Sequence, residues 1–259
     1  MRGSAGVMAL VLAETVAGAA ALLWFTPLWN EVKRGFFKLT GGILLVLAIC
    51  AWWSARAGLI VGDEAGAWAV RLASITVATI AIGLLLLFAR RDPAGRVLGI
   101  VSVPVAIAVL AAMAATGRQT WALGAFQLLA GAFFLGSVTD GLLLGHWYLT
   151  DRGLSRGPIN RYTNLMLVAV VVEAIAVISG GFQGTGASQA VNPLLTAGAL
   201  APWIALGMVG TTALIAVLVK ATLRGERASA VQSATGFFYL AVVTAFTAEV
   251  AVKVRFLPR

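Results

Sequence analysis

Of the ten acidic residues in the 259-residue chain, four fall inside long apolar runs: Glu14, Asp140, Glu173 and Glu249. An ionised side chain at the centre of a bilayer costs roughly 2.5–3.5 kcal/mol on insertion scales, so such residues mark places where protons, ions or polar partners are handled. At a helical rise of 1.5 Å per residue, Glu14, Asp140 and Glu173 come about 12, 12 and 16 Å in from the ends of their runs, near one mid-membrane layer. The lysines and arginines lie near run ends. Each of these three acids is therefore expected to be neutralised, hydrogen-bonded to polar neighbours, or open to water or a ligand. Glu249 differs, because it precedes Lys253 by four residues and shares a helix face with it. Six residues follow Lys253, so the spacing reads as a structural ion pair near the outer interface.

A second concentration runs from Thr139 to Tyr148 and on to Arg161 and Tyr162. It holds Asp140, Trp147 and His146, the one histidine of the chain. Tyr162 and Glu173 are eleven residues apart, only about 20° from eclipsed on a helix. The fifth and sixth runs, joined by a short loop, are thus expected to present His146, Asp140, Tyr162 and Glu173 to one cleft. A quinone head needs a hydrogen-bond donor at each carbonyl, a proton-exchanging group and flat apolar walls. His146, Tyr148 or Tyr162, Asp140 and Trp147 are residues of those types, with Arg161 at the rim. Gly141 and Gly145, four apart, allow close helix approach.

Other chemistries find little support. One histidine cannot supply bis-histidine haem ligation, and a haem or pigment is not expected. The one cysteine, Cys50, lies in an apolar run and can form neither an intrachain disulfide nor a cysteine metal site. No Glu-x-x-His or His-Glu-x-x-His pattern occurs, so no metal centre is assigned, and no Ser-His-Asp or Cys-His set can be assembled.

The elements that must position these residues follow from composition. The chain is 60% hydrophobic and 11% charged, against roughly 25% charged in soluble domains. Its mean hydropathy is +0.95 and its net charge +9. A soluble enzyme and a disordered chain are excluded. Nucleic acid is not an expected partner, because the basic residues form short clusters between apolar runs instead of one face. The fold expected is an all-α, polytopic membrane bundle forming one domain over 1–259. It has about eight spans, near 5–26, 37–57, 67–89, 96–116, 121–148, 162–181, 197–219 and 230–253. The first run is read as a retained helix and not a signal peptide, since Glu14 interrupts it and it continues to Phe25. Pro104 is expected to kink the fourth span, and tryptophans near span ends to serve as interface anchors. No internal repeat is legible.

Charge sets the expected orientation. The loops after spans 1, 3, 5 and 7 each carry three Lys or Arg: Lys33, Arg34 and Lys38; Arg90, Arg91 and Arg96; Arg152, Arg156 and Arg161; Lys220, Arg224 and Arg227. The other side holds Arg2, Arg56, Arg71, Arg118, Lys253, Arg255 and Arg259. The positive-inside rule then puts both termini on the non-cytoplasmic side. The loop from Gly180 to Asn192 is uncharged and Gly/Ser/Gln-rich, and its Gly184-Thr185-Gly186 reads as linker and not as a phosphate loop.

Eight spans, no paired histidines and no soluble domain are similar, in topology and size, to the cofactor-free quinol-binding anchor subunits of bacterial iron–sulfur oxidoreductases. That similarity implies a membrane subunit of an electron-transfer complex, in the bacterial cytoplasmic membrane. It would contact quinone or relay protons and would not be an enzyme by itself. Its partners would be lipid and subunits carrying the redox centres. The alternatives are a proton-coupled small-solute transporter or channel, and a structural or assembly subunit.

Overall fold

A computed structural model of the chain describes residues 3–59, 63–117, 119–151, 153–182, 200–225 and 229–256. The expected Gly180–Asn192 linker, with Gly184-Thr185-Gly186, lies mostly outside these residues, as do Arg2, Arg118, Arg152, Arg227 and Arg259. Among the described residues the structure is all helical. Eight helices are long and apolar enough to cross a membrane: α1 (Gly3–Phe25), α3 (Arg34–Gly58), α4 (Glu64–Phe88), α5 (Asp92–Ala115), α6 (Trp121–Thr150), α7 (Gly157–Ser179), α8 (Leu200–Leu223) and α9 (Ser229–Lys253). A single turn, α2 (Leu28–Glu31), follows α1, and a 3₁₀ turn over Val254–Phe256 follows α9.

Local chemistry sets the helix ends. The Asp63 side chain caps α4 by accepting from the Ala65 N–H at 3.2 Å, a standard N-cap. α5 and α7 begin with proline in the first turn, where its missing N–H costs nothing. The turn after α4 passes through Arg90, held at φ +61°, with Arg91 N–H closing back on the Leu86 carbonyl at 2.8 Å. Six of the eight long helices begin one to five residues before the apolar runs, because polar first-turn residues such as Arg34, Glu64 and Asp92 are helical without being apolar. Pro104 is accommodated within a continuous α5, where its ring is exposed.

Most of α1 and α6 is buried, against less than half of each other long helix. These two form the axis. α1 packs on α3, α3 on α4, α4 on α5, and α5 returns to α1. The second half repeats the order: α6 packs on α7, α7 on α8, α8 on α9, and α9 returns to α6. The halves meet along α1 and α6, flanked by α5 against α6 and α9 against α1. The described residues therefore form two four-helix units of like packing order, a repeat of topology that the residue pattern does not display.

The α1–α6 seam is made possible by glycine. A Cβ on Gly18 would strike the Ala132 carbonyl, and one on Gly136 would strike the Gly18 backbone. With little hydrophobic force between helices in lipid, such close backbone contact is what holds them together. Outward faces carry exposed apolar residues, among them Val46, Leu85, Val171, Leu214 and Val243.

The end holding the basic loops is laced together across the chain. Lys33 pairs with Asp151 at 3.0 Å, Arg34 with Asp92 at 3.0 Å, and Arg161 with Glu31 at 2.9 Å. Lys220 donates to the Asn160 side-chain oxygen at 3.3 Å, and Arg156 donates to the Gly225 carbonyl. The tryptophans divide into two groups. Trp53, Trp68 and Trp121 are exposed near helix ends. Trp24 is instead buried, packing at a tilt against Trp29 and Phe37 at centroid distances of 5.8 and 5.6 Å and filling the space left by Gly99. Its expected anchoring role is corrected to one of core packing.

Candidate functional site: a buried carboxyl–lysine cluster

Lys253 is the last residue of α9, yet its side chain is fully buried. Helical side chains lean toward the helix N-terminus, so its stem runs back into the protein from the end of α9. The Nζ atom lies 2.8 Å from Glu249 Oε2, one turn back, and 2.7 Å from Glu14 Oε1 on α1. Both carboxyls are also fully buried. The Phe256 ring lies 5.9 Å from Nζ, and Phe256 is itself buried, next to Gly117 beyond the end of α5. The 3₁₀ turn thus covers the cluster from the end opposite the basic loops.

Glu173 on α7 completes the group. It is 1% exposed, it feels the charges of Glu249, Lys253 and Glu14, and its carboxyl meets that of Glu249. Gly131 of α6 provides the floor. A Cβ there would stand 2.7 Å from Glu14 Oε1 and 3.0 Å from Glu249 Oε2. One turn away on α6, buried Gln127 donates to the Ala176 carbonyl of α7 at 3.2 Å, while its own side-chain oxygen is unpartnered. Three carboxyls share one ammonium in a site closed to water. Neutrality then requires further positive charge, as protons or a cation, because uncompensated charge in a low-dielectric site is costly.

Two sequence expectations change here. Lys253 and Glu249 do form an ion pair, but it is a buried three-way junction and not an interfacial pair. Glu14, expected to lack any cation at its depth, has Lys253. The physical reason in both cases is the reach and direction of the lysine stem.

The expected quinone cleft is not assembled. Asp140 and Tyr162 do meet: the Tyr162 hydroxyl donates to Asp140 Oδ2 at 3.4 Å, and both side chains are fully buried, with the other Asp140 oxygen unpartnered. Glu173 instead belongs to the lysine cluster, three turns along α7 from Tyr162. His146 is exposed on α6, its Nδ1 lying 3.4 Å from the Tyr239 hydroxyl of α9. Trp147 points to the other side, packing on Phe36 at 6.1 Å and over Gly35. Tyr148 donates to the Ser155 carbonyl, and Arg161 is engaged by Glu31. Residues consecutive on a helix diverge by 100° each, so no single cleft can take His146, Trp147 and Tyr148 together. Among the described residues no group of His, Cys, Asp or Glu is arranged to hold a metal ion.

Gln127, Gly131, Tyr239 and Phe256 escaped the sequence reading. A buried glutamine in an apolar run was a usable signal for the first. The other three become informative only through their spatial neighbours. Comparison of the chain with family models, curated proteins and solved structures gave no match.

Proposed function

We propose that this chain is a proton-coupled membrane transporter of a small polar solute, with the Glu14–Glu173–Glu249–Lys253 cluster as its proton-binding centre. The observation that carries this reading is where the cluster sits. Glu14 belongs to the first four-helix unit, the other three residues belong to the second, and the charges meet beside the α1–α6 seam. Transporters built from parallel repeats bind substrate and coupling ion at the interface between repeats, near mid-membrane. Buried ionisable residues facing a bundle interior mark such pathways. A carboxyl that meets a second carboxyl beside an ion-paired lysine is a group that can gain and lose a proton while Lys253 keeps its two partners. In the orientation given by the basic loops, Phe256 would close the site toward the non-cytoplasmic side.

The test is reconstitution of the full chain in liposomes under an imposed pH gradient, with a panel of small solutes. Solute-dependent proton flux is expected, and Glu173→Gln should abolish it while leaving folding intact. No proton-linked flux for any solute, or full flux in Glu173→Gln, would sink the reading.

A subunit role in an electron-transfer complex is the second reading, and one observation favours it. His146 and Tyr239 form a polar pair on an exposed face of α6 and α9, where a lipid-borne quinone head could accept from both. Co-purification of stoichiometric redox subunits from the native membrane, with quinol turnover lost in His146→Ala, would favour this reading over transport.

A further inference from the structure

An outward-facing groove runs between α3 and the end of α4. It holds about 510 Å³ and is lined by Lys38, Leu39, Gly42, Ile43, Val46 and Phe88 among others. Lys38, Gly42 and Val46 recur at every fourth residue and form one stripe of α3, with Leu39 and Ile43 beside it. Gly42 is a notch in that stripe, because a Cβ there would meet nothing within 4 Å. Val46, Leu39 and Phe88 are exposed, as residues facing acyl chains are. The groove is thus apolar along its length and shaped for a flexible chain.

Its end at the basic loops has a different character. The Lys38 ammonium sits 4.6 Å from the centre of the Phe88 ring. Arg90 and Arg91 follow Phe88 after one alanine, both exposed. None of these three cations has a carboxylate partner among the described residues, whereas Lys33, Arg34 and Arg161 at the same end each have one. Arg90 holds the φ +61° position that usually falls to glycine after a helix. A long cationic side chain is therefore kept where the backbone favours none.

We infer that this groove binds an anionic phospholipid, one acyl chain lying over Gly42 and the phosphate held by Lys38 with Arg90 and Arg91. Unpaired basic groups at the membrane surface attract anionic headgroups, and the apolar groove directly beneath supplies the chain site. The inference is independent of the transport reading, since it uses none of the cluster residues.

Native mass spectrometry of the full chain, released from nanodiscs holding equal phosphatidylglycerol and phosphatidylcholine of matched chains, tests it. Retained phosphatidylglycerol is expected to exceed phosphatidylcholine at one high-occupancy site. Lys38→Gln should cut that preference about fivefold, the effect of removing one surface charge. Gly42→Leu should abolish retention without loss of folding, because nothing of the protein occupies the space its side chain would fill. Arg71→Gln, at the opposite end, should change nothing. Equal retention of the two lipids, an unchanged preference in Lys38→Gln, unchanged retention in Gly42→Leu, or a second copy of the chain in place of lipid would each overturn the assignment.

Discussion

Lys253 holds two carboxylates from two helices at 2.7 and 2.8 Å in a site closed to water. Removing one partner of a buried ion pair leaves an uncompensated charge and typically costs about 3–5 kcal/mol, whereas replacing the whole set by apolar or neutral groups of like volume can be neutral. Lys253→Met is therefore expected to destabilise the fold by about that amount. The triple variant Lys253→Met, Glu14→Gln, Glu249→Gln is expected to recover most of it. Denaturant unfolding in detergent, followed by circular dichroism, reads both. A triple variant no more stable than the single one would show that the cluster's value is not electrostatic. Glu173 stands apart, since it forms no ion pair and Glu173→Gln keeps a hydrogen-bonding group against Glu249, so stability should stay nearly unchanged.

Among the elements, α1 and α6 matter most, and their contact depends on Gly18 and Gly136. A side chain at either position would push the two backbones apart, since the atoms it meets belong to main chain and cannot move aside. Gly136→Leu should therefore prevent the two units from closing, detected as loss of a monodisperse folded species in size-exclusion chromatography. Gly42→Leu, at an equally helical but outward position, should give a normal profile. Equal behaviour of the two variants would mean that the α1–α6 contact is not the seam described here. The same close approach brings Glu14 over Gly131, so separating the helices should also disperse the cluster.

At the scale of the whole molecule, the two four-helix units and the distribution of basic loops fix the expected sidedness. With Cys50→Ser removing the native thiol, a Ser4→Cys variant is expected to react with a membrane-impermeant maleimide added outside intact cells. Protection from outside, with labelling only after lysis, would invert the orientation and the direction in which Phe256 closes the site. The exposed ion pairs at the basic end are worth only about 0–1 kcal/mol each. They align α2, α3 and the α6–α7 loop without governing stability.

The number of long apolar helices among the described residues, their limits to within about five residues and the identity of the buried acids were all legible in the chain. They follow from composition and helical rise, which are local properties. Glu14, Asp140, Glu173, Glu249 and Lys253 were all singled out as residues. Their partners were not, because pairing depends on which helices are neighbours and how each is turned about its axis. The face shared by Tyr162 and Glu173 was read correctly, yet Tyr162 meets Asp140 while Glu173 meets the lysine cluster, since the two lie at different depths of α7 beside different neighbours. Lys253 looked interfacial from its place at a helix end, and only the three-dimensional path of its stem put it beside Glu14. Residue type and spacing determined that this chain buries carboxyls in an apolar helical protein. The packing of one four-helix unit against another decided that three of those carboxyls converge on one lysine, because contacts between residues more than 230 positions apart leave no trace in local periodicity.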